Sequence, residues 1–154
     1  TAFPKGAGSE NTCILRMLSP GDGLEGLKRV VLEGVIMAGA MPCPPTIIGV
    51  GIGGGADIAI NLSKAALLRP IDQLNPDKWA ATLEHELYED INSLGIGPMG
   101  LGGRFTTLAV KVNYAYRHPA SYPVAVAFQC WAARRASALI HMDGHVEYLT
   151  HEVG

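Results

Sequence analysis

The sequence runs to 154 residues with a formal net charge of −2 and 48% apolar residues. A chain of this size and balance can bury one core as a single domain, and it is neither a disordered tail nor a polyanion binder, whose surface carries a basic excess. No apolar run reaches the roughly eighteen residues a transmembrane helix needs, and no secretory leader is visible, so no membrane or nucleic-acid partner is expected. Thr1 rather than Met opens the sequence, which fits a chain with an upstream segment missing.

The opening TAFPKGAGSEN reads as a short extended piece and a glycine turn, with Ser9 and Asn11 at its polar ends. Such a turn is either a plain reversal or a backbone nest for a carboxylate. SPGDG at 19–23 is a loop that offers Asp22 as an N-cap. Leu24, Leu27, Val31, Val35 and Ala38 then recur at helical spacing, and Pro42, Pro44 and Pro45 forbid continuation. TIIGVGI at 46–52 is short and wholly apolar, the pattern of a buried strand. ADIAINLSKAALL predicts a second helix that stops near Pro70. NPDKWAATLEHELYEDINSLG predicts a third, with Pro76 at its start and Gly95 closing it. After the glycine loop GIGPMGLGG the period changes. FTTLAVKVNYAYR and YPVAVAFQC alternate as strands do, and SALIHM follows the same pattern more weakly. Helices and one strand precede a strand-rich half. The expected class is α+β (mixed α/β), a mixed sheet with flanking helices in a single domain over 1–154.

Several stretches carry candidate chemistry. Gly49–Gly54 spells GxGxxG between a strand and a helix, the setting of a dinucleotide loop. No acidic residue closes a second strand about twenty residues on, so a turn that lets a helix pack close to a strand explains it better. HELYED at 85–90 is not a zinc HExxH, because position 89 is Glu, and it reads as a solvated helix face. RHPAS at 117–121 sets Arg117 and His118 on a loop after a strand, where functional groups concentrate. Cys13, Cys43 and Cys130 are odd in number, widely spaced and without a CxxC, so they form no disulfide scaffold. On their own they read as reduced thiols.

Taken in order, PKGAGSEN, AMPCPPTIIGVGIGG, ALLRPI, GIGPMGLGG, RHPASYPVAVAFQCWAARR and DGHVEYLTHE resemble the iron–sulfur hydro-lyases, the class I fumarases and L-tartrate dehydratases. The resemblance is to the later part of the α subunit, or of the N-terminal domain in single-chain forms, and covers essentially the whole chain. It implies that Cys43 and Cys130 are ligands of a [4Fe-4S] cluster, with Cys13 a packing residue. It implies prolines that stiffen the Cys43 loop and a glycine strand that runs close to cluster and substrate. A third cysteine ligand, in a Cys-Gln-Asp-Thr-Gly block upstream in the family, is not in this sequence and would lie outside the chain. The resemblance makes Gly8 and Ser9 amide donors to a substrate carboxylate and His118 a catalytic substrate contact, with Arg117 a weaker candidate. All are expected in one pocket with Cys43 and Cys130.

The implied reaction is reversible hydration of fumarate to malate, with an open iron as Lewis acid. The form of PKGAGSEN favours fumarate, and the alternative is an L-tartrate dehydratase α subunit. An alternative of another class is a non-catalytic scaffold or assembly fragment. Further expectations are a small dicarboxylate substrate, a β subunit or C-terminal domain as partner, an oligomeric enzyme, and a cytoplasmic location with the mitochondrion as the other possibility. The chain alone is expected to be inactive.

Overall fold

A computed structural model describes residues 1–150. A mixed four-stranded sheet carries helices on both faces, the expected α+β arrangement. In chain order the elements are α1 (Ala7–Asn11), β1 (Ile14–Leu18), α2 (Gly23–Ala38), β2 (Thr46–Ile52), α3 (Ala56–Ala66), α4 (Lys78–Ser93), β3 (Thr107–Tyr114), β4 (Tyr122–Gln129), β5 (Ala138–Ile140) and β6 (Val146–Tyr148). The sheet order is β1-β4-β2-β3, with β2 parallel to β3 and antiparallel to β4, and β1 antiparallel to β4. β5 and β6 form a separate, exposed hairpin.

β2 is buried along its whole length because both of its faces are covered. Ile48, Val50 and Ile52 point into the main core with Leu27, Val31 and Val35 of α2, Leu83, Leu87 and Ile91 of α4, and Val112, Val124, Val126 and Phe128. The alternate residues face α3. A Cβ at Gly49 would lie 2.1 Å from the Ser63 carbonyl oxygen, and one at Gly51 would lie 2.0 Å from that of Ala59. These glycines let helix and strand backbones touch. They face α3 and not the cysteines, so the expectation of a glycine strand running along a cluster is corrected. The turn that follows is no nucleotide cradle either. The Gly53 and Gly54 amides already donate to Pro123 O at 3.0 Å and Tyr116 O at 3.1 Å. We expect Gly51→Ala to destabilise the fold by about 1–3 kcal/mol, because the added methyl overlaps a backbone atom that cannot move alone. Thermal unfolding would show this, and an unchanged Tm would refute the close packing.

Local signals explain most boundaries. Asp77 caps α4 through its carboxylate, which accepts from Ala80 N at 2.8 Å, and Gly95 beyond the helix takes φ +66°. Asp22 differs from expectation. Its carboxylate accepts from Ser19 N at 2.8 Å within a short 3₁₀ turn and makes no side-chain cap to α2. The 6–11 turn is in fact the one-turn helix α1, and β1 is a strand that the sequence pattern does not announce.

The outer edge of β3 is closed by side chains. Glu84, buried on α4, accepts from Val112 N at 2.7 Å, from Asn75 Nδ2 at 2.7 Å, and from Arg69. Asn75 Nδ2 also donates to Val112 O at 3.0 Å. Lys111 Nζ donates to Ile71 O and Gln73 O at 2.9 and 2.8 Å, and burial pushes its pKa down. No helix among the described residues is long and apolar enough to cross a membrane.

Candidate active site: the cysteine end of the sheet

Cys43 lies just before β2 and Cys130 just after β4. Because the two strands are antiparallel neighbours, with Ile47 opposite Gln129, both cysteines fall at one end of the sheet. Trp131 N donates to Cys43 O at 3.2 Å and ties the two loops together. All three thiols are free, with Cys43 exposed and Cys13 and Cys130 half-buried. Cys13 packs beside Ile47, Leu67, Ala109 and Ala127, with its thiol 3.6 Å from Ser9 O, in keeping with a packing role.

Two further segments brace the Cys43 loop. Met99 N, from the GIGPMGLGG loop, donates to Pro44 O at 2.8 Å, and a Cβ at Gly100 would lie 2.7 Å from that of Ala40. From the other side comes α1, where a Cβ at Gly8 would lie 2.3 Å from Met41 O. The Pro44–Pro45 peptide is cis. Within this frame Cys43 holds φ +56°, a conformation disfavoured for a side chain with a Cβ. The other described non-glycine residues with positive φ are Met99 and Ala133, and both belong to the same end of the sheet. Such conformations cost of order 1–3 kcal/mol each and persist where surroundings over-determine them, as they do at functional sites. Two free thiols on adjoining loops, one presented outward by a braced turn, form a donor set that fits two of the thiolates of a [4Fe-4S] cluster. Among the described residues no group of three or more His, Cys, Asp or Glu converges on a metal position.

Gly8 and Ser9 lie beside this end of the sheet, and Gly8 packs against Met41 O. Ser9 is buried, and its hydroxyl donates to Gly6 O at 2.9 Å. Its side chain is thus part of the turn. The first amides of α1 have no intrahelical acceptor.

His118 is in a different place. It precedes β4, whereas Cys130 follows it, so the eight residues of β4, about 25 Å of strand, separate the two. The strand before it, β3, runs antiparallel to β4 as expected, but β2 lies between them. The expectation that His118 shares one pocket with Cys43 and Cys130 is therefore corrected. Its Nδ1 accepts from Ala120 N at 3.1 Å, which closes the turn. Arg117 braces the same turn, donating to Pro119 O at 3.2 Å and Ser121 O at 2.8 Å, with its guanidinium 4.5 Å over the Tyr122 ring. That bonding leaves Arg117 a structural part.

Residues 1–139 match the family described as "Fumarate hydratase (Fumerase)". The chain belongs to this family. It is 57% identical over 142 residues to the "Putative L(+)-tartrate dehydratase subunit alpha" of Methanocaldococcus jannaschii, covering 92% of this chain and 50% of the relative. It is 42% identical over 136 residues to the L(+)-tartrate dehydratase subunit alpha of Escherichia coli K12, covering 88% and 45%. The chain spans about half the length of these relatives. The blocks quoted from the sequence of this fumarase-family chain now have places in its fold. Four of the six contribute to the cysteine end, ALLRPI supplies Arg69 to the β3 edge, and DGHVEYLTHE forms part of the outer hairpin, with His151 and Glu152 outside the described residues.

Sequence reasoning missed two contacts here. Arg134 Nη1 lies 3.6 Å from Cys130 Sγ. Lys5, inside the PKGAGSEN block, is nearly buried at this end. A lysine beside a glycine turn gives no periodic signal, and only its proline and glycine neighbours hint that it is held.

Proposed function

We propose that this chain is the part of a class I hydro-lyase that contributes Cys43 and Cys130 as two thiolate ligands to a [4Fe-4S] cluster. The substrate class is four-carbon dicarboxylates, with fumarate and malate as the first pair. The observation that carries this reading is the meeting of both cysteine loops beside a turn in left-handed geometry that two other segments brace. When bound, such a cluster supplies an open iron position that polarises a substrate hydroxyl. The chain's own contribution is to aim two sulfurs and to offer the amides around Gly8 to a substrate carboxylate, since backbone N–H groups make charge-assisted bonds to anions. The third ligand, the general acid and the general base belong to protein outside this chain. A β subunit or C-terminal domain is the proposed partner, an oligomeric assembly the proposed form, and the cytoplasm the proposed location. L-tartrate is a second reading, favoured by the names of the similar α subunits.

The test is anaerobic preparation of the intact protein with its partner subunit, followed by iron and sulfide analysis and assays on fumarate, malate and L-tartrate. Iron with fumarate turnover supports the first reading, and iron with L-tartrate turnover alone replaces it by the second. Intact protein without iron, sulfide or turnover of any of the three would leave the scaffold alternative standing and refute the hydro-lyase.

A further inference from the structure

Lys5 is placed to do more than decorate a turn. Its side chain is only 11% exposed. Nζ donates to Phe128 O, on the strand that ends before Cys130, and to Ser9 Oγ at 3.3 Å. It also lies 3.6 Å from Glu10 Oε2. Glu10 in turn pairs with Lys64 of α3 at 2.5 Å. An ammonium carries three protons; two are donated here, one to β4 and one to α1, and the Glu10 carboxylate of α1 lies within ion-pair distance. Lys5 is therefore tied to β4 and α1 at once, and its work is mechanical. α1 meets the other cysteine loop through Gly8, which packs against the carbonyl of Met41 with no room for a side chain. A single-turn helix between two loops cannot hold its own position, because five residues are far too few for a helix to persist alone.

We infer that Lys5 is a positioning residue: it pins α1 to the end of β4 and thereby sets the amides around Gly8 at a fixed place relative to both Cys43 and Cys130. Its consequence for turnover rests on the hydro-lyase reading, whereas the coupling itself rests on the contacts of Lys5. Methionine at this position keeps most of the stem volume and loses all three donors. Binding geometry at a carboxylate degrades when its amides drift, while ligation of iron by the cysteines does not pass through Lys5.

The experiment uses the intact protein with its partner subunit and compares Lys5→Met, Lys5→Arg and Cys43→Ser. For Lys5→Met we expect unchanged iron content, a KM for the dicarboxylate raised about 10-fold and kcat altered less than about 3-fold. Lys5→Arg, which keeps donors, should recover part of the KM loss. Amide hydrogen exchange in Lys5→Met should quicken about 10-fold or more in residues 6–11, with α4 unchanged. Exchange unchanged at 6–11, or quickened throughout the protein, would overturn the inference. So would iron loss equal to that of Cys43→Ser. If the unaltered protein proves to have no hydro-lyase activity, the functional reading fails, and the exchange measurement still decides the role of Lys5.

Discussion

Serine at Cys43 in the intact, anaerobically prepared protein is expected to cut bound iron to under roughly a tenth of the normal content and to remove turnover with it. A hydroxyl does not replace a thiolate as a cluster ligand, and metal retention follows ligand number and type. Cys43 is also the exposed one of the two candidate ligands and sits in a turn whose φ of +56° is imposed by its neighbours. Cys130→Ser should behave in the same way. Cys13→Ser is the control, because Cys13 packs against Ile47 and Leu67 and should leave iron content unchanged. Iron analysis and visible absorption of the three variants check this. Full iron in Cys43→Ser, or iron loss in Cys13→Ser alone, would move the site elsewhere.

Loss of the Glu84 carboxylate should give the largest stability effect. Glu84 accepts from the Val112 amide, from Asn75 and from Arg69, whose side chain is 13% exposed. Glu84→Ala leaves a nearly buried guanidinium without its counter-charge and a strand amide without an acceptor. Removing one partner of a buried ion pair costs about 3–5 kcal/mol, which for a domain of this size lowers Tm by roughly 10 °C. Arg69→Met combined with Glu84→Leu should recover much of the loss, since no charge is then stranded. Denaturant unfolding of the single and double variants measures both. A loss below about 1 kcal/mol for Glu84→Ala would mean that water replaces the carboxylate and that the pair is not buried in solution.

Much of the fold was legible because its signals are local. TIIGVGI reads as a buried strand, Pro76 and Gly95 bracket α4, and the prolines after Met41 end α2. β1 was not, since Arg16 and Met17 are both exposed and no alternation marks ILRML. What makes it a strand is β4, distant in sequence. Glu84 shows the same limit. It stands one residue before HELYED, whose His85 and Glu89 are solvated as expected, and nothing in the sequence separates it from them. Only the helix phase against β3 turns it inward. At the candidate site, Cys43 and Cys130 were singled out by the family resemblance, whereas their spacing alone read as reduced thiols. The displacement of His118 was not legible, because it depends on which end of β4 each residue occupies, and alternating residues do not reveal strand order. The hairpin of β5 and β6 was half-seen, as the weaker strand at SALIHM.

β4 is the last strand of the main sheet to be synthesised, and it lies between β1 and β2. Ile14 waits for Val126, more than a hundred residues later, before its strand has any partner. During translation the first two-thirds of the chain can therefore gather α2, β2 and α4 but cannot complete the sheet. Pairings so remote in sequence form slowly, because loop closure precedes the contacts that reward it. The Phe128 carbonyl that holds Lys5 and the Trp131 amide that holds the Cys43 loop arrive with that same final strand. Cys43 thus emerges early as an ungoverned thiol and gains its fixed aim only at the end. Iron delivered to the nascent chain would meet one cysteine in no defined pose. On the proposed cluster reading, loading follows folding, because a chain cut short before Tyr122 keeps Cys43 but lacks Cys130 and the strand that brings the two together.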